Sequence, residues 1–98
     1  MNEDIATDLA KIGRDAARQI AGEGTVERVE VVSGEDFDGD PVYHFWFLFD
    51  QDRSRERPGL VRIRLIQTLR DELIARGDER LPVIHMLDRA DRDKRAGA

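Results

Sequence analysis

The eight residues Val42-Tyr43-His44-Phe45-Trp46-Phe47-Leu48-Phe49 constrain this chain more than any other stretch. A short run this rich in aromatic and β-branched residues, preceded by a Gly/Asp/Pro cluster and followed by charge, is a β-strand. Side chains alternate across a strand. Tyr43, Phe45, Phe47 and Phe49 therefore share one face, and Val42, His44, Trp46 and Leu48 share the other. The aromatic face is expected to meet helices. The second face also carries a large apolar load, and a small antiparallel-type sheet normally covers one face only. Trp46 and Leu48 thus call for a cover that two helices do not supply, and a second subunit is the simplest one.

The flanking segments predict what stands around this strand. Residues 3–21 have Ile5, Leu9, Ile12, Ala16 and Ile20 at the spacing of one helical face. Asn2 is the expected N-cap, and Glu3 and Asp4 suit the helix dipole. Gly13 and Ala17, four apart beside that face, permit a close approach to a sheet. Gly22 or Gly24 ends the helix. Residues 25–33, with Val26, Val29, Val31 and Val32, read as a strand kept partly wet by Glu27, Arg28 and Glu30. The turn-rich residues 34–41 make a hairpin with the central strand. A second helix starts between Ser54 and Pro58, with Ser54 or Asp52 as cap, and runs to Arg76. Its ridge is Val61, Leu65, Leu69 and Leu73. Leu60, Ile63 and Ile74 lie on another side, so its apolar arc is wider than one stripe. Leu81–Leu87 reads as a third strand with Pro82 near its start.

The expected fold is α+β: a two-layer sandwich in the order α-β-β-α-β, with a right-handed β-α-β crossover and both helices on one face of a three-stranded sheet. Residues 1–98 form a single domain with an ordered core over 3–88 and a charged tail over 89–98, expected to be a frayed helix or disordered.

Composition narrows the function classes. The chain has no cysteine, which rules out disulfides and cysteine-ligated zinc. It has no apolar run of the length needed to span a membrane, roughly 18–20 residues. The acidic N-terminus is unlike a signal peptide, so a cytoplasmic location is expected. Residues 1–52 hold 13 acids against 4 bases, residues 53–70 hold 6 arginines against 1 acid, and the whole chain carries −5. An acidic chain is ill suited to non-specific phosphate binding. Only the segment Arg53–Arg70 is basic, and Arg53, Arg55, Arg57 and Arg64 are its candidate phosphate or nucleic-acid contacts. Arg62 sits nearer the ridge. The bland reading of this segment is pairing with the acidic first half.

Several clusters carry the residue types of a reaction. Asp50-Gln51-Asp52-Arg53-Ser54 after an apolar strand resembles the D-x-D-x-S/T pattern of haloacid dehalogenase-type phosphotransferases. That resemblance implies a nucleophilic carboxylate, a second acid/base carboxylate and Mg²⁺. It covers about ten residues, in a chain far shorter than that fold. A nucleotidyltransferase reading joins Asp88 to Asp50 and Asp52, with Ser33-Gly34 as the glycine turn. In that family an apolar residue separates the paired acids, whereas Gln51 stands here. Asp36, Asp38 and Asp40 alternate as calcium ligands do, but Pro41 and Phe47 occupy the places where an EF-hand loop needs Gly and Glu. His44 and His85, on adjacent strands, would approach each other if both faced away from the helices, and Asp88 would be a third ligand.

The element order over residues 3–88 also resembles that of type II KH-like proteins, including the ribosome-binding factor A family. The resemblance is one of layout and implies a nucleic-acid or ribosome-associated binder. The GxxG loop of RNA-binding KH domains is missing, since the nearest glycine pair is Gly22 and Gly24.

Three readings follow. First is a non-enzymatic interaction or accessory domain that forms a homodimer or binds a small protein partner, through His44, Trp46, Leu48, Leu60, Ile63 and Ile74. Second is a nucleic-acid binder using the basic segment. Third is metal-dependent phosphoryl or nucleotidyl transfer at Asp50 and Asp52. The sequence assigns no catalytic residue, bound metal or cofactor.

Overall fold

A computed structural model of the chain describes residues 3–88. The expected Asn2 cap and the tail over 89–98 lie outside the described residues. The elements run α1 (Glu3–Ala21), β1 (Val26–Glu35), β2 (Pro41–Phe49), a short 3₁₀ turn (Gln51–Arg53), α2 (Pro58–Ala75) and β3 (Leu81–Asp88). The order is α-β-β-α-β, and the fold is α+β. β2 is the central strand, antiparallel to β1 and parallel to β3.

The aromatic face of β2 meets the helices as its alternation predicts. Tyr43, Phe45, Phe47 and Phe49 are buried in one core with Val29 and Val31 of β1 and Ile84 of β3. Leu9, Ala16 and Ala17 close it from α1, and Val61, Leu65, Leu69 and Leu73 from α2. A Cβ on Gly13 would stand 3.3 Å from the Phe47 ring and 3.4 Å from Val29. The glycine therefore sets how closely α1 rides on the sheet.

β1 solves a phase problem. Val26 and Val29, three apart, cannot share a face of a regular strand. The pairing shifts between Val26, opposite Phe49, and Arg28, opposite Leu48. Such a one-residue bulge turns both valines toward the helices.

The start of α2 differs from expectation. Its N-cap position is Arg57, with no side-chain cap, and Pro58 opens the helix. Neither Ser54 nor Asp52 caps it. Ser54 Oγ accepts from the Glu56 amide and donates to the Glu56 carbonyl, and Asp50 caps the 3₁₀ turn by accepting from the Asp52 amide. The fixed φ of Pro58 begins the helix where a capping side chain otherwise does. At the other end Gly77, at φ +74°, and Asp78 return their amides to the Ile74 and Leu73 carbonyls. This Schellman closure delivers Asp78 to the end of the sheet.

Candidate functional site

The strand register builds the open face of the sheet as four positions from each of three strands: Arg28, Glu30, Val32 and Gly34 of β1; Val42, His44, Trp46 and Leu48 of β2; Leu81, Val83, His85 and Leu87 of β3. Its residues are apolar or imidazole except Arg28 and Glu30, which pair with each other in one corner. Val32 is 52% exposed, Leu87 39% and Trp46 37%. Val42 and Leu48, on the same face, are only 2% and 8% exposed. Each stands between two cross-strand neighbours, which shade the middle of the sheet. The apolar surplus read from β2 alone is thus partly absorbed, and Val32, Leu81 and Leu87 of the flanking strands contribute in its place. Sequence reasoning missed these three because their exposure depends on strand order. Beside Trp46 lies a hollow of about 190 Å³ bounded by Arg28, Glu30, Trp46, Leu48 and Leu87.

His44 and His85 meet at the centre of this face. His44 Nδ1 lies 2.9 Å from His85 Nε2. The ring centroids are 5.1 Å apart with planes 28° from parallel, so the two nitrogens point at each other. One donates its N–H and the other accepts. Trp46 lies flat on His85, centroids 3.9 Å apart and planes within 11°. His44 leans over Gly34, where a Cβ would stand 2.9 Å from the ring. Burial, then the charges of His44 and Arg62, push the His85 imidazole below its ordinary value. Asp88 does not join the pair. It shares the parity of Ile84 and Met86, which pack on the helix side.

The remaining candidates of the partner surface stand elsewhere. Leu60, Ile63 and Ile74 are exposed on α2, opposite its buried ridge. Gln67, Arg70 and Asp71 separate Ile74 from the neighbouring Leu60 and Ile63 along the helix, so the three form no continuous patch.

The basic segment is dispersed. The Arg55 side chain covers Gly22 and that of Arg53 covers Gly24, at the C-terminal end of α1. The Arg55 amide also caps the Ala21 carbonyl. A helix C-terminus carries negative dipole charge, which these guanidinium groups offset. Arg14 and Arg18 of α1 line the same end of the molecule, but Glu23 stands among them, Asp15 pairs with Arg18, and Asp50 with Arg53. Arg57 stands at the N-cap position of α2 with its side chain exposed and making no cap bond, and Arg64 is exposed further along the helix.

Asp36, Asp38 and Asp40 do gather, with ligand atoms within 4.8 Å of one another. One oxygen of Asp36 accepts from the amides of Asp38 and Asp40, so the cluster shapes the hairpin turn. Among the described residues no other set of three or more carboxylates and imidazoles is close enough to hold an ion. Asp50, Asp52, His85 and Asp88 therefore do not converge.

At the far end of the sheet, the Tyr43 hydroxyl donates to Asp78 at 2.7 Å and the Arg80 guanidinium lies 5.0 Å from the Tyr43 ring centre. Among the described residues no helix is long and apolar enough to cross a membrane. No family model, curated protein or solved structure matches the chain.

Proposed function

We propose that the chain is a self-associating interaction module of the cytoplasm, whose two copies pack open sheet face to open sheet face. The observation that carries this is the composition of that face: exposed Val32, Trp46 and Leu87 around an imidazole pair, with one cation and one anion in a corner. A second copy suits it better than a foreign partner. The patch is charge-balanced on a chain of net charge −5, so it selects neither a basic nor an acidic surface. It is also self-complementary. A two-fold axis crossing the strands between the Trp46 and Leu48 levels lays Arg28 against Glu30 of the second copy. The same axis drops Trp46 into the hollow of the other chain. Such isologous contacts are the rule in homodimers.

Across this axis the Glu30, Trp46 and His85 level meets the Arg28, Leu48 and Leu87 level, six positions per chain and well under a standard interface side of roughly 20–30 residues. Micromolar association is therefore expected, with a monomer that keeps its own core. Sedimentation velocity between about 1 and 200 μM tests this. The expected species grows from 11.2 kDa toward twice that mass. Arg28→Glu and Glu30→Arg should each weaken association at least tenfold by opposing like charges across the axis. Mixed together they should form a heterodimer near wild-type affinity, because two acidic positions then meet two basic ones. A monomer at 200 μM, or two variants that do not complement, ends the proposal.

A further inference from the structure

The chain has two histidines and no cysteine, so His44 and His85 are its whole supply of imidazole and thiolate ligands for a transition metal. The parallel pairing of β2 with β3 sets them diagonally across the sheet, with His44 Nδ1 and His85 Nε2 2.9 Å apart. That separation fits a single ion. Two imidazole nitrogens at about 2.0–2.1 Å from a metal stand about 2.9 Å apart at a right angle and about 3.3 Å apart at the tetrahedral angle. Cis nitrogens at a right angle suit Ni²⁺ or Cu²⁺, whose geometry is square-planar or tetragonal. The rings are held in place. Trp46 lies flat on His85, and Gly34 leaves room for the outer edge of His44. Both imidazoles are half-buried on the open face, so an ion reaches them from solvent and keeps water at its other positions.

We infer that His44 Nδ1 and His85 Nε2 form a two-imidazole site for Ni²⁺ or Cu²⁺, completed by water. The site lies within one chain and does not depend on the dimer proposed above. The ion takes the place of the N–H···N bond. The two nitrogens now face each other along one line, so each ring turns by about half a right angle to aim its lone pair at the ion. Each imidazole stays neutral and keeps one proton, His44 on Nε2 and His85 on Nδ1. The ring that donates in the hydrogen bond passes its proton to its other nitrogen through solvent. The accepting ring already carries its proton there, so none is gained or lost. The second imidazole binds an ion that the first has localised, and the pair holds it more tightly than either ring alone. The Arg62 charge that reaches His85 opposes a cation, and the net charge of −5 favours one. Asp36, Asp38 and Asp40 are the competing cluster, but carboxylates suit Mg²⁺, Ca²⁺ or Mn²⁺ instead.

The probe is NiCl₂ added to the chain in a non-chelating buffer at pH 7.5. The readout is the fluorescence of Trp46, the one tryptophan of the sequence, whose ring stacks on a proposed ligand. Saturable quenching that EDTA reverses is expected, with one ion per chain by isothermal titration calorimetry. His44→Asn leaves the Trp46–His85 stack and should raise the half-saturating Ni²⁺ concentration at least tenfold, since loss of even an outer-shell partner costs a metal site about 10–100-fold. Asp38→Asn, in the acidic turn, should change it less than twofold. Absence of quenching up to about 1 mM Ni²⁺ overturns the inference. So does equal quenching in His44→Asn, or one ion shared by two chains. Should His44→Asn lose the circular dichroism of the fold, NMR of the wild type decides. Paramagnetic Ni²⁺ should first broaden the signals of His44, Trp46 and His85, and broadening that begins at Asp36, Asp38 and Asp40 overturns the site.

Discussion

Tyr43 shows how much a single residue does beyond its sequence signal. Its ring belongs to the aromatic face of β2, yet its hydroxyl reaches Asp78, which the end of α2 delivers from 35 residues away. Burial raises the Asp78 carboxyl, but the Tyr43 hydroxyl, the Arg80 amide and the Arg80 charge together hold it below its ordinary value. A carboxylate with a lowered folded pKa contributes stability above its unfolded pKa and loses it as pH falls through the folded one. Tyr43→Phe removes one donor and should cost about 1 kcal/mol at pH 7. The gap from wild type should narrow at pH 3, measured by urea unfolding; a gap of equal size at both pH values counts against this coupling. Gly34 is a second case. Gly34→Ala would force the His44 ring away, because its Cβ meets that ring at 2.9 Å. With His44 displaced, the His85 imidazole should titrate closer to its ordinary value, as followed by NMR.

At the scale of elements, the helices and strands are legible in the sequence because each carries its own period. The i, i+4 ridge of α2 is buried throughout, and Gly13 of α1 is the point of close approach that its place beside the apolar face predicts. The closeness of Gly13 to the sheet yields a prediction. Alanine at position 13 gains roughly 1 kcal/mol of helix propensity. It also pushes a methyl into the buried Phe47 ring and Val29, and overpacking of this kind costs about 1–3 kcal/mol. Gly13→Ala should therefore lower stability by about 1 kcal/mol in urea unfolding, against the usual gain at a helical glycine. The start of α2 escapes sequence reasoning for a physical reason. Ser54 and Asp52 are good caps by type, but a 3₁₀ turn engages the Asp52 amide and a local turn engages Ser54, so Pro58 sets the boundary.

At the scale of the molecule, folding disperses the basic segment and gathers apolar residues of three strands on the open sheet face. The arginine-rich segment is one basic island along the chain. Folding places Arg53 and Arg55 at the end of α1 and Arg64 on the outer face of α2, which breaks the island up. The open sheet face is what remains as a continuous surface. The exchange of charge between Arg28→Glu and Glu30→Arg is the prediction that belongs here, because only a paired register of two whole molecules makes the mixture associate.

The sequence by itself determined the element order, the helix-facing aromatics and the two-faced character of Val42–Phe49, since alternation and helical spacing are local properties of the chain. Strand order, the parallel pairing of β2 with β3, the meeting of His44 with His85 and the shading of Val42 and Leu48 were decided only by tertiary structure. Each depends on which distant backbone lies alongside, and the order β1-β2-β3 supplies that neighbour.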